Sequence, residues 1–182
     1  MELIFLLMMY LLDRNGANNL DKSQGFTSLT FLCLYDILFI ENFRRRFKMI
    51  IDVRSRKIIE QNQYNANIIS ITSQPTYADI KNCGPTLYLR FEDFDTELPG
   101  WPVQLIQKED AKKIATFVMA NKHNGKYFIV QCDAGVSRSA GVAAALMKYF
   151  NEDDSPIFDN PQYCPNMRCY RMVLEALMEE YI

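Results

Sequence analysis

Histidine is almost missing from this chain: His123 is the single one among 182 residues. That excludes two-histidine zinc motifs, and it would leave a Ser-His-Asp or Cys-His hydrolase resting entirely on one side chain. His123 lies in Asn121-Lys122-His123-Asn124-Gly125, a polar turn sequence that suits a solvated residue rather than a base. Excess positive charge is also lacking. A net charge of −2 and a pI near 5.5 leave no basic face of the kind that general nucleic-acid binders carry, so no nucleic-acid partner is expected. The five cysteines are odd in number and irregularly spaced. They make neither a disulfide framework nor a zinc pattern, and they suit a reducing, cytoplasmic compartment.

Long apolar runs are scarce as well. Residues 3–12 form one, too short to span a bilayer and without the basic flank of a signal peptide. Residues 26–43 are longer but carry Asp36 and Glu41, and Arg44-Arg45-Arg46-Phe47-Lys48 follows as a cytoplasmic-type flank. Three readings of residues 1–48 stand open: a weak membrane anchor, a helical extension packed on the domain, and a mis-assigned start with the working protein beginning at Met49. From Met49 onward the sequence is mildly acidic, free of repeats and low-complexity tracts, and long enough for one ordinary globular domain, residues 49–182.

What is present is concentrated in Gln131-Cys132-Asp133-Ala134-Gly135-Val136-Ser137-Arg138-Ser139. Before it, Tyr127-Phe128-Ile129-Val130 has the β-branched and aromatic content of a buried strand, with Gly125 marking the turn. After it, Ser139-Ala140-Gly141-Val142-Ala143-Ala144-Ala145-Leu146-Met147 reads as a closely packed helix. Strand, loop, helix is the context in which backbone N–H groups and a helix N-terminus converge on an anion. Five residues between Cys132 and Arg138 suffice to wrap Asp133, Ala134, Gly135, Val136 and Ser137 around one phosphoryl group. The sulfur then lies beneath and the guanidinium fork returns to the phosphate oxygens. Gly135 supplies the permissive backbone. Loop amides, helix end and Arg138 together favour Cys132 as a thiolate, the attacking form, and Ser139 is placed to hydrogen-bond the sulfur. The plainer alternative is an inert buried cysteine and a surface arginine.

Cys132 to Ser139, with Ile129-Val130 before and Ala140-Gly141-Val142-Ala143-Ala144-Ala145-Leu146 after, resembles the C-x5-R-[ST] signature of the cysteine-dependent tyrosine and dual-specificity protein phosphatases, most closely the compact members that consist of a catalytic domain alone. The likeness in spacing and pattern runs from about residue 68 to residue 177. One departure stands out: the family usually has His immediately before the nucleophile, and here that position is Gln131.

The remaining pattern predicts an α/β fold with a mostly parallel central sheet flanked by helices. A first hairpin is expected over residues 49–59 with its turn near Arg54-Ser55, then a strand at 68–72 stopped by Gln74-Pro75, a short helix over 76–81, and a strand at 86–91. Residues 108–122 space Ala111, Ile114, Ala115, Val118 and Met119 for one helical face. Residues 151–163 read as a polar loop, and a last helix runs to about Glu180. Arg168 or Arg171 on it could face the site, though a structural salt bridge is the plainer role.

The resemblance implies a general acid in Glu92-Asp93-Phe94-Asp95-Thr96-Glu97-Leu98-Pro99-Gly100-Trp101-Pro102, directly after the second confident strand, with Asp93 at its place and Asp95 the competitor. Trp101 is either a lid wall over the substrate or a core anchor. The implied function is hydrolysis of phosphotyrosine, and of phosphoserine or phosphothreonine, through a phosphocysteine formed on Cys132, with Arg138 binding phosphate, Asp93 moving the proton and Ser139 easing departure of the thiolate. A phosphorylated protein is then the substrate, and no metal or other cofactor is required. Two alternatives remain: an inactive phosphatase that binds phosphoproteins, left open by Gln131, and a phosphatase for a non-protein ester. Asp133 and the absence of lysine in the loop disfavour a more highly charged head group.

Overall fold

A computed structural model describes residues 49–73, 75–97, 99–123 and 127–179. The N-terminal extension at 1–48, the turn glycine Gly125, and the stop residue Gln74 lie outside the described residues. Eleven elements follow in order: β1 (Ile50–Ser55), α1 (Arg56–Gln61), β2 (Gln63–Tyr64), β3 (Asn67–Thr72), β4 (Lys81–Asn82), β5 (Thr86–Arg90), α2 (Lys108–Asn121), β6 (Tyr127–Cys132), α3 (Arg138–Asn151), α4 (Ser155–Phe158) and α5 (Met167–Glu179). Among the described residues, no helix is long and apolar enough to cross a membrane.

Four strands make a parallel sheet in the order β1-β6-β3-β5, and β2 pairs in parallel with β4. The sheet is the expected α/β architecture, and parallel throughout. Both faces of β3 are covered, since all six of its residues are buried, as the continuous run Ile68-Ile69-Ser70-Ile71-Thr72 requires of an inner strand. Side chains alternate between the faces. Ile69, Ile71, Phe128, Val130 and Cys132 point to the core shared with α2, α3 and α5, whereas Ile68 and Ile129 join Ile59 of α1 on the other side. Helix α3 is buried from Arg138 to Met147, which its run of alanines permits by letting α5 approach closely. A Cβ at Gly141 would come within 2.4 Å of the Asn166 carbonyl oxygen.

Two local expectations fail. No hairpin turn forms at Arg54-Ser55: β1 runs through both residues and Arg56–Gln61 is helical. Ser55 caps that helix by accepting the Ile58 N–H at 3.4 Å, Arg56 pairs with Glu60 one turn on at 2.8 Å, and Ile59 is buried. Nor is 76–81 a helix: charged side chains from outside it bind its Tyr77 carbonyl, its Asp79 N–H and the neighbouring Pro75 carbonyl. Arg56 donates to Thr76 Oγ1 and to the Tyr77 carbonyl, Arg90 donates to the Pro75 carbonyl, and the Asp79 N–H goes to Glu60. Lys81–Asn82 then becomes strand β4. The loop expected at 151–163 also contains α4, one turn with Pro156 in its first positions and Ile157 buried.

Candidate active site

Between β6 and α3 the chain bends around Cys132. Gly135 takes φ +72°, and a Cβ there would lie 2.6 Å from the Ser55 nitrogen, so the bend accepts only glycine. The loop carbonyls are drawn away by neighbours. The Asp133 carbonyl accepts the Arg56 N–H at 3.2 Å, that of Val136 the Cys164 N–H at 3.1 Å, and that of Ser137 the N–H groups of Gly141 and Asn166 at 2.8 and 3.1 Å. Turning carbonyls outward is what lets such a loop offer its amides to an anion. Cys132 lies at its floor, 1% exposed. Ser139 Oγ is 3.0 Å from its sulfur, and the Gly135 N–H donates to the sulfur at 3.2 Å.

Arg138 opens α3 and is buried, yet its guanidinium is only partly engaged. Nη1 donates to Ser73 Oγ at 3.1 Å and to the Phe91 carbonyl at 2.7 Å, and Nη2 donates to Asp133 Oδ2 at 2.7 Å. Arginine has five N–H donors, and these bonds do not use them all. The Nε–H is buried and without a hydrogen-bond partner, 3.9 Å from Asp93 Oδ2. Burial pushes the Asp133 carboxyl up, but the Ser73 N–H and the Arg138 guanidinium outweigh it and hold the group below the usual carboxylate range.

The segment after β5 brings a carboxylate over this cradle. Asp93 Oδ1 accepts from Ser137 Oγ at 2.8 Å and from Asn166 Nδ2 at 2.9 Å. Ser137 occupies the N-cap position of α3 without capping it, since its hydroxyl is spent on Asp93. Asp95 turns elsewhere and accepts the Arg168 N–H at 3.2 Å, at the N-terminus of α5, where a carboxylate is favoured. Of the two candidates, Asp93 is the one bonded to the loop at Ser137 and 3.9 Å from Arg138. Trp101 is 67% exposed, so it is not a core anchor. Arg168 Nε donates to the Ile106 carbonyl rather than to a carboxylate, and Arg171 is exposed.

Gln131 points to the opposite sheet face from Cys132. There its Oε1 accepts from Ser70 Oγ at 2.6 Å, while its buried Nε2 has no partner. Ser73, the Phe91 carbonyl, Asn166 and this Ser70–Gln131 pair were not among the residues expected from sequence. Only Asn166 carries a local signal, a polar cap ahead of a helix. Cys169, behind the site, is buried, and burial together with nearby Asp93 pushes its thiol far up, so it stays protonated.

No family model and no curated protein sequence matches the chain. Solved structures of similar fold include human DUSP28, at 13% identity over 72% of this chain and 93% of that one with a TM-score of 0.47. Others are the human tyrosine phosphatase-like serine/threonine/tyrosine-interacting protein, at 20% identity over 65% and 80% with a TM-score of 0.41, and PTPMT1 in complex with PI(5)P, at 17% identity over 71% and 91% with a TM-score of 0.44. At such identities and overlaps, a reading of the site rests on its own geometry.

Proposed function

We propose that the chain is a phosphoric monoester hydrolase acting on phosphorylated protein, phosphotyrosine foremost, and that residues 49–182 carry the activity. The observation that carries this is the buried Arg138 guanidinium, whose Nε–H has no partner, beside a cysteine enclosed by an amide-bearing loop. A buried N–H without an acceptor is costly, and a phosphate oxygen would remove the cost. In the first step the Cys132 sulfur attacks phosphorus in line with the leaving oxygen. The S–P bond forms as the P–O bond breaks, the loop amides and Arg138 hold the equatorial charge, and Asp93 gives its proton to the departing alkoxide or phenoxide. In the second step water attacks the phosphocysteine and Asp93 takes its proton. The S–P bond breaks while the Ser139 hydroxyl donates to the leaving thiolate, and inorganic phosphate is released.

The test is release of phosphate from para-nitrophenyl phosphate and from a phosphotyrosine peptide by the full chain with EDTA present, beside Cys132→Ser and Asp93→Asn. The expected result is turnover by the parent, none by Cys132→Ser and slowed turnover by Asp93→Asn. A folded parent that binds vanadate but turns over neither substrate would replace this reading with that of a phosphoprotein-binding module.

A further inference from the structure

We propose that Asn166 is a positioning residue for Asp93 and determines which carboxyl oxygen carries the catalytic proton. The inference rests on the hydrolase reading above. Asn166 is 4% exposed and lies immediately before α5. Its backbone is held on both sides: its N–H goes to the Ser137 carbonyl at 3.1 Å, its carbonyl accepts the Tyr170 N–H at 3.1 Å, and α3 approaches it at Gly141. Its side chain is divided between two tasks. Oδ1 accepts the Cys169 N–H at 2.9 Å, closing the first turn of α5, and this fixes the amide so that Nδ2 faces outward. Nδ2 donates to Asp93 Oδ1 at 2.9 Å, across 73 residues of sequence.

The consequence lies in how Asp93 is loaded. Oδ1 accepts twice, from Asn166 Nδ2 and Ser137 Oγ, so a proton on the carboxyl belongs on Oδ2. Oδ2 is the oxygen 3.9 Å from the unpartnered Arg138 Nε, on the side where the phosphate would lie. Without Asn166, Ser137 alone would hold Oδ1, from a hydroxyl that can rotate. Asn166 thus joins the end of the phosphate loop, the start of α5 and the acid into one rigid unit, and it presents the proton to the leaving oxygen.

Asn166→Asp separates this role from a structural one. Aspartate keeps the shape and the capping oxygen, but it sets an acceptor where Asp93 needs a donor. With the full chain, kcat is measured for phenyl phosphate, whose leaving group needs the proton, and for para-nitrophenyl phosphate, whose leaving group needs it far less. The expected result is a loss of about tenfold or more on phenyl phosphate against little loss on para-nitrophenyl phosphate. No further loss is expected when Asn166→Asp is added to Asp93→Asn. Equal losses on both substrates, no loss on either, or full additivity with Asp93→Asn would overturn the proposal. If Asn166→Asp does not fold, Asn166→Ser carries the same comparison, since serine caps a helix but is too short to reach Asp93. A parent inert on both substrates would overturn the hydrolase reading itself, whereas an active parent with an indifferent Asn166→Asp would overturn this inference alone.

Discussion

Arg138 Nη2 donates to Asp133 Oδ2 at 2.7 Å, a bond between two residues of the same loop, five apart in sequence. The loop therefore brings its own counter-ion to the guanidinium, and the Ser73 N–H and this guanidinium together give the folded protein a pH dependence. Asp133 gives up its proton at a lower pH when folded than when unfolded. Below the unfolded value, about 3.9, the unfolded chain thus holds more protons, and stability rises with pH through that window. The contribution is complete above the unfolded value and is lost as pH falls through the lower folded one. Asp133→Asn should flatten the stability curve between about pH 5 and pH 3, measured by urea denaturation at each pH. An unchanged slope would show that the pair does not govern this titration.

Gly135 and Gly100 share a positive φ, +72° and +83°, but their surroundings differ. A Cβ at Gly135 meets the Arg54-Ser55 backbone, while at Gly100 nothing lies within 4 Å. Gly100→Ala should cost about 1 kcal/mol, the conformational penalty alone. Gly135→Ala should cost more than about 2 kcal/mol and abolish turnover, because β1 must shift. Denaturation midpoints of the two variants side by side provide the check.

Ser139 Oγ touches the Cys132 sulfur at 3.0 Å. In the proposed mechanism its hydroxyl matters most when the thiolate leaves, so Ser139→Ala should slow the second step by about 10²-fold and leave the first nearly intact. Rapid mixing with para-nitrophenyl phosphate should then give a burst of nitrophenol equal to the enzyme present, followed by slow turnover. Slow turnover with no burst would assign Ser139 to the first step instead.

Ser70 and Gln131 form a buried pair beneath the loop, with the Gln131 amide nitrogen already unsatisfied. Ser70→Ala should cost about 1–3 kcal/mol by leaving Gln131 wholly unpaired. Ser70→Ala combined with Gln131→Leu should recover most of that loss, since removing both partners removes the desolvation penalty. A double variant no more stable than the single one would mean that the pair also shapes the sheet.

The strand, loop and helix around Cys132 were legible because their signals are local: an apolar run, a five-residue spacing, and alanines suited to close packing. The parallel sheet was legible in the unbroken Ile68-Ile69-Ser70-Ile71-Thr72. What misled was local chemistry weighed in isolation. Ser55 reads as a turn residue until its hydroxyl is seen capping α1, and Thr76 to Lys81 reads as helical until Arg56 binds the Tyr77 carbonyl and Glu60 the Asp79 N–H. Asp93 and Asp95 could not be separated from sequence because their partners, Ser137, Asn166 and Arg168, lie 44 to 73 residues away. The contact of Asn166 with Asp93 was illegible for the same reason, since a helix cap looks alike whichever way its amide nitrogen points.

The cradle takes its walls from distant parts of the chain: Ser55 at the end of β1 against Gly135, Phe91 against Arg138, and Asn166 against Asp93. Strand β6 aligns with β1 from Ile50↔Tyr127 onward, a parallel pairing that closes a long loop. Such pairings form slowly, and none of them rewards the chain until the later strand arrives. A chain made only as far as Ser139 holds every residue of the signature and all four strands of the sheet, but neither Asn166 nor any of α5. Asn166 and α5 arrive last, and under the proposed hydrolase reading full turnover during refolding should appear only once Asn166 has reached Asp93.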